Sequence, residues 1–549
     1  MLWTYLTTKQ IKICDKIRHL SPNRYNNSVK ISSGKEALSW VTLNGNLPFP
    51  QGGEQVKALV INEPFVKDFC RTQRWAAKTR GRVLRAPDWL AYATAVLEKA
   101  GVDAYIYDFP ARNWGKSEYD DLIAKEKPDF VILDSTTPSI HSDIECARAA
   151  KRLAPYSKVI MVGPHASSLP VETLKNAQGA IDVVAVGEYD YSVRDTVLQY
   201  PNLENVSGIV YWNDGNIAIN PPRALIEDLD ELPFPAWHQL DLLKYFDGTK
   251  LHPYIDIFSG RGCPHKCTFC LWPQVMHGHK LRVRKPERVV DEMEYDIKIC
   301  PEVVQGGEFF FEDDTFTLHK PTALGICEEI LKRNLKVTFS VNARVDTADL
   351  YMMKMLKKAG CRELLVGFES GDQQVLNNIQ KRATIEQAQE FMARTKEAGL
   401  DVHGTFVLGL PGETRDTMEK TIGFAQNLGL HTLQFSAAMP FPGTAYFNYA
   451  QEKGYLNTND WNKWLDPQGE QTGVISYPGL SKEEVEDGVD RGLKAFYFRP
   501  MYLVKFAFGN MHWKDFTRKL RGFAHFASYL WEEAKRESSV FSPTIKSNH

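Results

Sequence analysis

The stretch IDIFSGRGCPHKCTFCLWPQ, residues 255–274, puts Cys263, Cys267 and Cys270 into one tight loop. Thiolates at such close spacing converge on one metal centre when a short loop wraps it, whereas a single helical face could not present all three. A tetrahedral zinc site needs a fourth Cys or His, and His265, inside the loop itself, is poorly placed to close on the same ion. Three ligands on a four-iron cluster instead leave one iron open for a small molecule. Buried core cysteines and a zinc knuckle are the competing readings. The apolar run before the loop and the strand and helix patterns after it favour the cluster.

The chain of 549 residues is too long for one ordinary core, and two or three domains are expected. A net charge of −2 argues against a globally basic nucleic-acid binder. The other six cysteines, Cys14, Cys70, Cys146, Cys300, Cys327 and Cys361, are scattered without metal-like spacing and read as packed thiols. No apolar stretch reaches the length of a membrane span, and the first twenty residues lack the apolar core of a signal peptide. A reducing cytoplasm is the expected location.

Residues 1–54 end in a Gly/Pro-rich boundary and carry no assigned function. From 55 to 215 short apolar runs (KALVINE, DAYIYDF, FVILDST, KVIMVGP, DVVAVGE) alternate with helical patterns, which predicts a doubly wound parallel sheet with its ligand beyond the carboxyl ends of the strands. Between the first strand and the first helix, RTQRWAAKTRGRVLRAP is either a solvated loop or an anion or amide contact. A Pro- and Asp-rich linker spans 216–250. From 251 to 450 six strand candidates (YIDIFSG, EFFFEDDTF, KVTFSVNAR, ELLVGFES, HGTFVLGLP, TLQFSAAMP) predict a partial (β/α)6 barrel with its chemistry at the strand carboxyl ends. On that rule Gly306, Gly307 and Glu308 fall at the wrong end of their strand. Residues 451–549 read as a helical region. Its aromatic and basic segment after Pro500 either packs over the barrel mouth or meets membrane lipid.

The spacing Cys263-x3-Cys267-x2-Cys270, with Phe269 before the last Cys, resembles the radical S-adenosylmethionine (SAM) enzymes. The resemblance implies a 4Fe-4S cluster that chelates SAM through its open iron, and a 5'-deoxyadenosyl radical that abstracts hydrogen. In that family's terms Asp313 and Asp314 would meet the SAM amino group and Arg344 the carboxylate. Glu369 and Ser370 would meet the ribose, with a structural ion pair as the other reading of Glu369. Gly409, in GTFVLGLPGET, would let the backbone approach the adenosyl group, with Phe269 as an apolar face for adenine.

The alternating domain placed before such a core resembles the cobalamin-binding domain of the B12-dependent branch. The matching pieces are Ser135 and Thr136 in DSTTPS, Gly163 and His165 in VGPHAS, and VGEYDY. The D-x-H-x-x-G signature that supplies an axial His is absent, and His165 either approaches the corrin or holds its loop. The fold class implied is α/β: a Rossmann-like cobalamin domain, then a partial TIM-type barrel, then C-terminal helices. CTFCLWPQ, FFFEDDTF, VGFESGDQQVLNNIQK, HGTFVLGLPGET, ISYPGLS and FYFRP further resemble the hopanoid-biosynthesis-associated members. They imply ring contraction of an amino-sugar head group to a cyclitol ether on a hopanoid-type lipid. A cobalamin-dependent radical C-methyltransferase is the alternative. A small-molecule or lipid head-group substrate and a flavodoxin- or ferredoxin-type reductant are the implied partners, with no nucleic acid.

Overall fold

The computed structural model describes residues 55–72, 75–78, 83–500 and 502. Five parallel strands, β1 (Lys57–Asn62), β2 (Asp103–Asp108), β3 (Phe130–Leu133), β4 (Lys158–Met161) and β5 (Val183–Ala185), lie in the order β2-β1-β3-β4-β5. Their side chains alternate between two apolar layers. Val60, Ile132 and Ile160 pack with Leu90 and Val193 on one face. Leu59, Ile61, Val131 and Leu133 pack with Ile123, Ile144 and Ala147 on the other. Strands buried on both faces therefore read as unbroken apolar runs.

The same sheet continues into an antiparallel hairpin, β6 (Ile209–Asn213) and β7 (Asn216–Ile219). This hairpin crosses the boundary expected at residue 215, so the first stretch of the expected linker is sheet. The cause is Asp214-Gly215, both at positive φ (47° and 80°), the pair that a two-residue hairpin turn prefers.

The second sheet is built from β8 (Tyr254–Ile257), β11 (Glu308–Phe311), β12 (Phe339–Ala343), β13 (Cys361–Glu369), β14 (Asp401–Leu408) and β15 (Thr432–Ala437). All pair in parallel in that order, and β8 does not pair with β15, so the barrel is open on one side. A small antiparallel ribbon, β9 (Gly260–Arg261) and β10 (Arg282–Val283), flanks the cysteine loop. The outer face of the barrel is apolar, with Ile255, Ile257, Phe309, Phe311, Val341 and Leu364 under the helices. The inner face is charged. Arg362 forks onto Glu308 at 2.9 Å from both Nε and Nη2, and Ser340 Oγ donates to the same carboxylate. Lys250 is wholly buried with Nζ 3.6 Å from the centre of the Phe310 ring. Burial pushes the Asp256 carboxyl up to about 8.

The two sheets are joined through buried ions. Arg261 on β9 pairs with Glu188 (3.0 Å) and Asp190 (2.8 Å) just after β5, and Arg282 on β10 holds the other oxygen of Glu188 at 2.7 Å. Beside them Trp89 and Trp272 stack at 6.0 Å with planes 2° apart. Beyond the barrel, helix Lys482–Tyr497 opens on a Ser481/Glu484 capping box and ends before Pro500. The aromatic and basic segment after it lies outside the described residues. No helix among the described residues is long and apolar enough to cross a membrane.

Candidate active site

The cysteine loop leaves the carboxyl end of β8 and is held mainly through its backbone. Gln274 Nε2 donates to the carbonyls of Cys267 (3.3 Å), Thr268 (3.2 Å) and Cys270 (2.7 Å), and its Oε1 accepts from Ala445 N. Thr268 N donates to Ile379 O, and Tyr446 N donates to Thr268 O. Cys263 and Cys267 are buried and Cys270 is half-buried. Arg344 Nη1 lies 3.9 Å from Cys267 Sγ. No group of three His, Cys, Asp or Glu side chains among the described residues converges on a single ion. Three cysteines on one loop suit a four-iron cluster, in which each takes a different iron. A donor aimed at the Cys267 sulfur suits a ligand that carries thiolate charge.

The other barrel residues expected at the site are placed as follows. Phe269 packs in an apolar cluster with Val375, Ile379 and Tyr446. Asp313 accepts from Ser259 N (3.1 Å) and Ser259 Oγ (2.6 Å), and burial pushes its carboxyl up to about 7. Asp314 is 2.9 Å from His277 Nδ1, and that ring lies against Trp89. Both carboxyls thus already have protein partners. Arg344 spends Nε and Nη2 on Asp346 (3.0 and 2.9 Å), and Nη2 also reaches Lys381 O, so its fork is closed to a second carboxylate. Glu369, at a β-bulge with φ 66°, pairs with Lys381 Nζ at 2.7 Å. Ser370 Oγ lies 3.1 Å from Thr421 Oγ1 and accepts from Asp372 N, capping its own turn. Gly409 has φ 84°, and its carbonyl accepts from both Tyr446 and Tyr477 hydroxyls at 2.9 Å.

At the carboxyl edge of the first sheet Ser135 Oγ donates to Val162 O (2.6 Å) and accepts from Ala166 N, and Thr136 shares a 2.7 Å bond with Ser139. A Cβ on Gly163 would overlap Asp134 and the Ser135 backbone, so this glycine exists for close approach. His165 holds its loop: Nδ1 is 3.1 Å from Thr137 Oγ1, the ring meets Trp461 edge-on, and burial lowers it to about 3. Arg71, Thr136, Thr137 and Pro164 from this edge face Leu271 and Trp272 of the cysteine loop's helix and Phe441 across one cavity.

Some residues escaped sequence reasoning. Gln274 carries no pattern signal. Glu188 and Asp190, in VGEYDY, bind arginines rather than facing a ligand. In the arginine-rich loop Arg71 is fully buried on Asp143 (2.7 Å) and Arg85 bridges Glu312 and Asp247, so neither is solvated. Glu63, just past β1, is a buried carboxyl with both oxygens unpartnered among the described residues.

Residues 257–425 match the Radical SAM superfamily and residues 86–196 the B12 binding domain. An uncharacterized methyltransferase of Pyrococcus horikoshii is 31% identical over 447 residues, covering 79% of this chain and 93% of that protein. The chain belongs to the cobalamin-binding radical SAM family. Among other relatives of this radical SAM enzyme, the anaerobic magnesium-protoporphyrin IX monomethyl ester cyclase of Rubrivivax gelatinosus is 27% identical over 76% of the chain and 74% of its own length. The hopanoid C-3 methylase of Methylococcus capsulatus is 24% identical over 66% and 68%. The fold matches that of TsrM from Kitasatospora setae, a radical SAM methyltransferase solved with cobalamin and a [4Fe-4S] cluster, with a TM-score of 0.64, 16% identity, and coverage of 87% of this chain and 100% of that one. The cofactors of the radical SAM enzyme are therefore a 4Fe-4S cluster, SAM and cobalamin.

Proposed function

We propose that this radical SAM enzyme is a cobalamin-dependent C-methyltransferase acting on a small molecule or the polar part of a lipid. The observation that carries this reading is the 31% relative, named a methyltransferase and matched along 93% of its length. The hopanoid-associated relative is itself named a methylase, so lipid likeness also points to methyl addition rather than to ring contraction. Ring chemistry stays as the second reading because a cyclase stands among the relatives.

When bound, the three cofactors supply a hydrogen-abstracting radical and a methyl donor. The protein's share is placement. Cys263, Cys267 and Cys270 would hold the cluster, with Gln274 fixing the carbonyls of their loop. The cobalamin would rest on the edge formed by Ser135, Thr136 and Gly163, where the glycine lets its loop close against Asp134 and Ser135. Asp313 and Asp314, steadied by Ser259 and His277, would face SAM. A flavodoxin- or ferredoxin-type protein would supply electrons.

The test is anaerobic incubation of the reconstituted full chain with cobalamin, reductant, methyl-labelled SAM and an amino-sugar-bearing hopanoid or a set of polar small molecules. Labelled methyl on a product together with S-adenosylhomocysteine is the expected result. A rearranged product with 5'-deoxyadenosine and no labelled methyl would replace it with the ring reading.

A further inference from the structure

Arg344 closes the carboxyl end of β12 and is 5% exposed. Its three nitrogens have separate tasks. Nε and Nη2 are fixed by Asp346, and Nη2 also donates to Lys381 O, two residues along the chain from the Ile379 carbonyl that receives Thr268 N of the cysteine loop. Nη1 is left directed at Cys267 Sγ, 3.9 Å away. A clamp for a carboxylate would present two parallel N–H groups, and here the parallel pair is occupied.

We propose that Arg344 sets the reduction potential of the cluster through its N–H donor on the Cys267 sulfur, and that it is not a SAM carboxylate clamp. Reduction by an external one-electron donor adds one negative charge to the cluster and its thiolates. A guanidinium held against one of those sulfurs stabilises the reduced form more than the oxidised one, and hydrogen bonds to ligand sulfurs are a recognised control of such potentials. Asp346 serves as the anchor that keeps the third nitrogen aimed. Arg344 acts through Cys267 and is a positioning residue. The inference rests on the cofactor set and is independent of whether the product is methylated or rearranged.

The experiment is an anaerobic, dye-mediated redox titration of the full reconstituted chain, read by electron paramagnetic resonance with and without SAM. Iron content and SAM dissociation constant are measured on the same samples. Arg344→Met is expected to reduce the ratio of reduced to oxidised cluster at a fixed potential about tenfold, a midpoint drop of ~59 mV for one electron, already without SAM. Arg344→Lys, which keeps the charge, is expected to recover part of the drop, and SAM affinity is expected to change less than threefold. An unchanged midpoint combined with a tenfold or greater loss of SAM affinity would overturn the proposal. Should Arg344→Met fail to hold iron, Arg344→Gln and Arg344→Lys decide: a lowered midpoint in Gln that is partly restored in Lys supports the assignment, and two unchanged midpoints sink it.

Discussion

The two sheets of this enzyme bury their strands by opposite rules. In the first sheet both faces are apolar, and β3 is four buried residues, Phe-Val-Ile-Leu, between two layers of helices. In the barrel only the outer face is apolar, while Asp256, Glu308, Ser340, Glu363 and His403 lie along the inner one, all of them buried. A filled sheet has no interior to offer, so its ligand is confined to the loops at its carboxyl edge. A sheet with an ionic interior keeps polar chemistry enclosed, at the cost of having to neutralise every charge internally.

That contrast can be broken most directly in the filled sheet. Ile132→Asp places a carboxylate between two apolar layers with no partner, and loss of soluble folded protein, or a destabilisation above about 4 kcal/mol by denaturant titration, is expected. A stable variant would mean that the face is wetter than its packing. In the barrel, Glu308→Ala leaves Arg362 buried without that carboxylate and is expected to cost about 3–5 kcal/mol. The double variant Glu308→Leu/Arg362→Met should regain most of that loss. If the double variant is as unstable as the single one, the ionic interior holds the barrel together rather than merely neutralising itself.

The smallest effect separates the sheets by sign. His165, in the first sheet's loop, has its folded-state pKa lowered by burial from 6.5 to about 3. The unfolded chain therefore binds the proton more readily between those values, and this contribution grows as pH rises from about 3 to 6.5. Asp256, in the barrel, has its pKa raised by burial from 3.8 to about 8. The folded chain holds that proton more readily, so this contribution is present below pH 3.8 and is lost as pH rises towards 8. Denaturant stability measured from pH 4 to 6.5 should become flatter in the rising direction for His165→Gln and in the falling direction for Asp256→Asn. Identical slopes in both variants would show that neither group titrates as its surroundings require.

Much of this was legible in the sequence because the deciding signals are local. The apolar runs FVIL and KVIM, the alternation in FSVNA and DVHGTFVL, and the cysteine spacing each sit within a few residues. The Asp214-Gly215 hairpin was equally local and shows how a turn can hide inside a stretch that reads as linker. What could not be read is what depends on distant pairs. Glu188 meets Arg261 and Arg282 across 73 and 94 residues, and no local pattern marks either end as a buried partner. Arg344 fails differently. Its anchor, Asp346, is two residues away in plain view, but only the folded loop shows that the pair turns the third nitrogen towards Cys267.

The ion pairs between β9, β10 and Glu188 with Asp190 have a consequence for the catalytic cycle. Enzymes that carry a bulky cofactor on a swinging module shuttle it between stations, and the module must detach at each transfer. Here detachment would strip two arginines and two carboxylates of their partners at once and split the Trp89–Trp272 stack. The first sheet is thus held to the ribbon that flanks the cysteine loop by contacts that detachment would break all together.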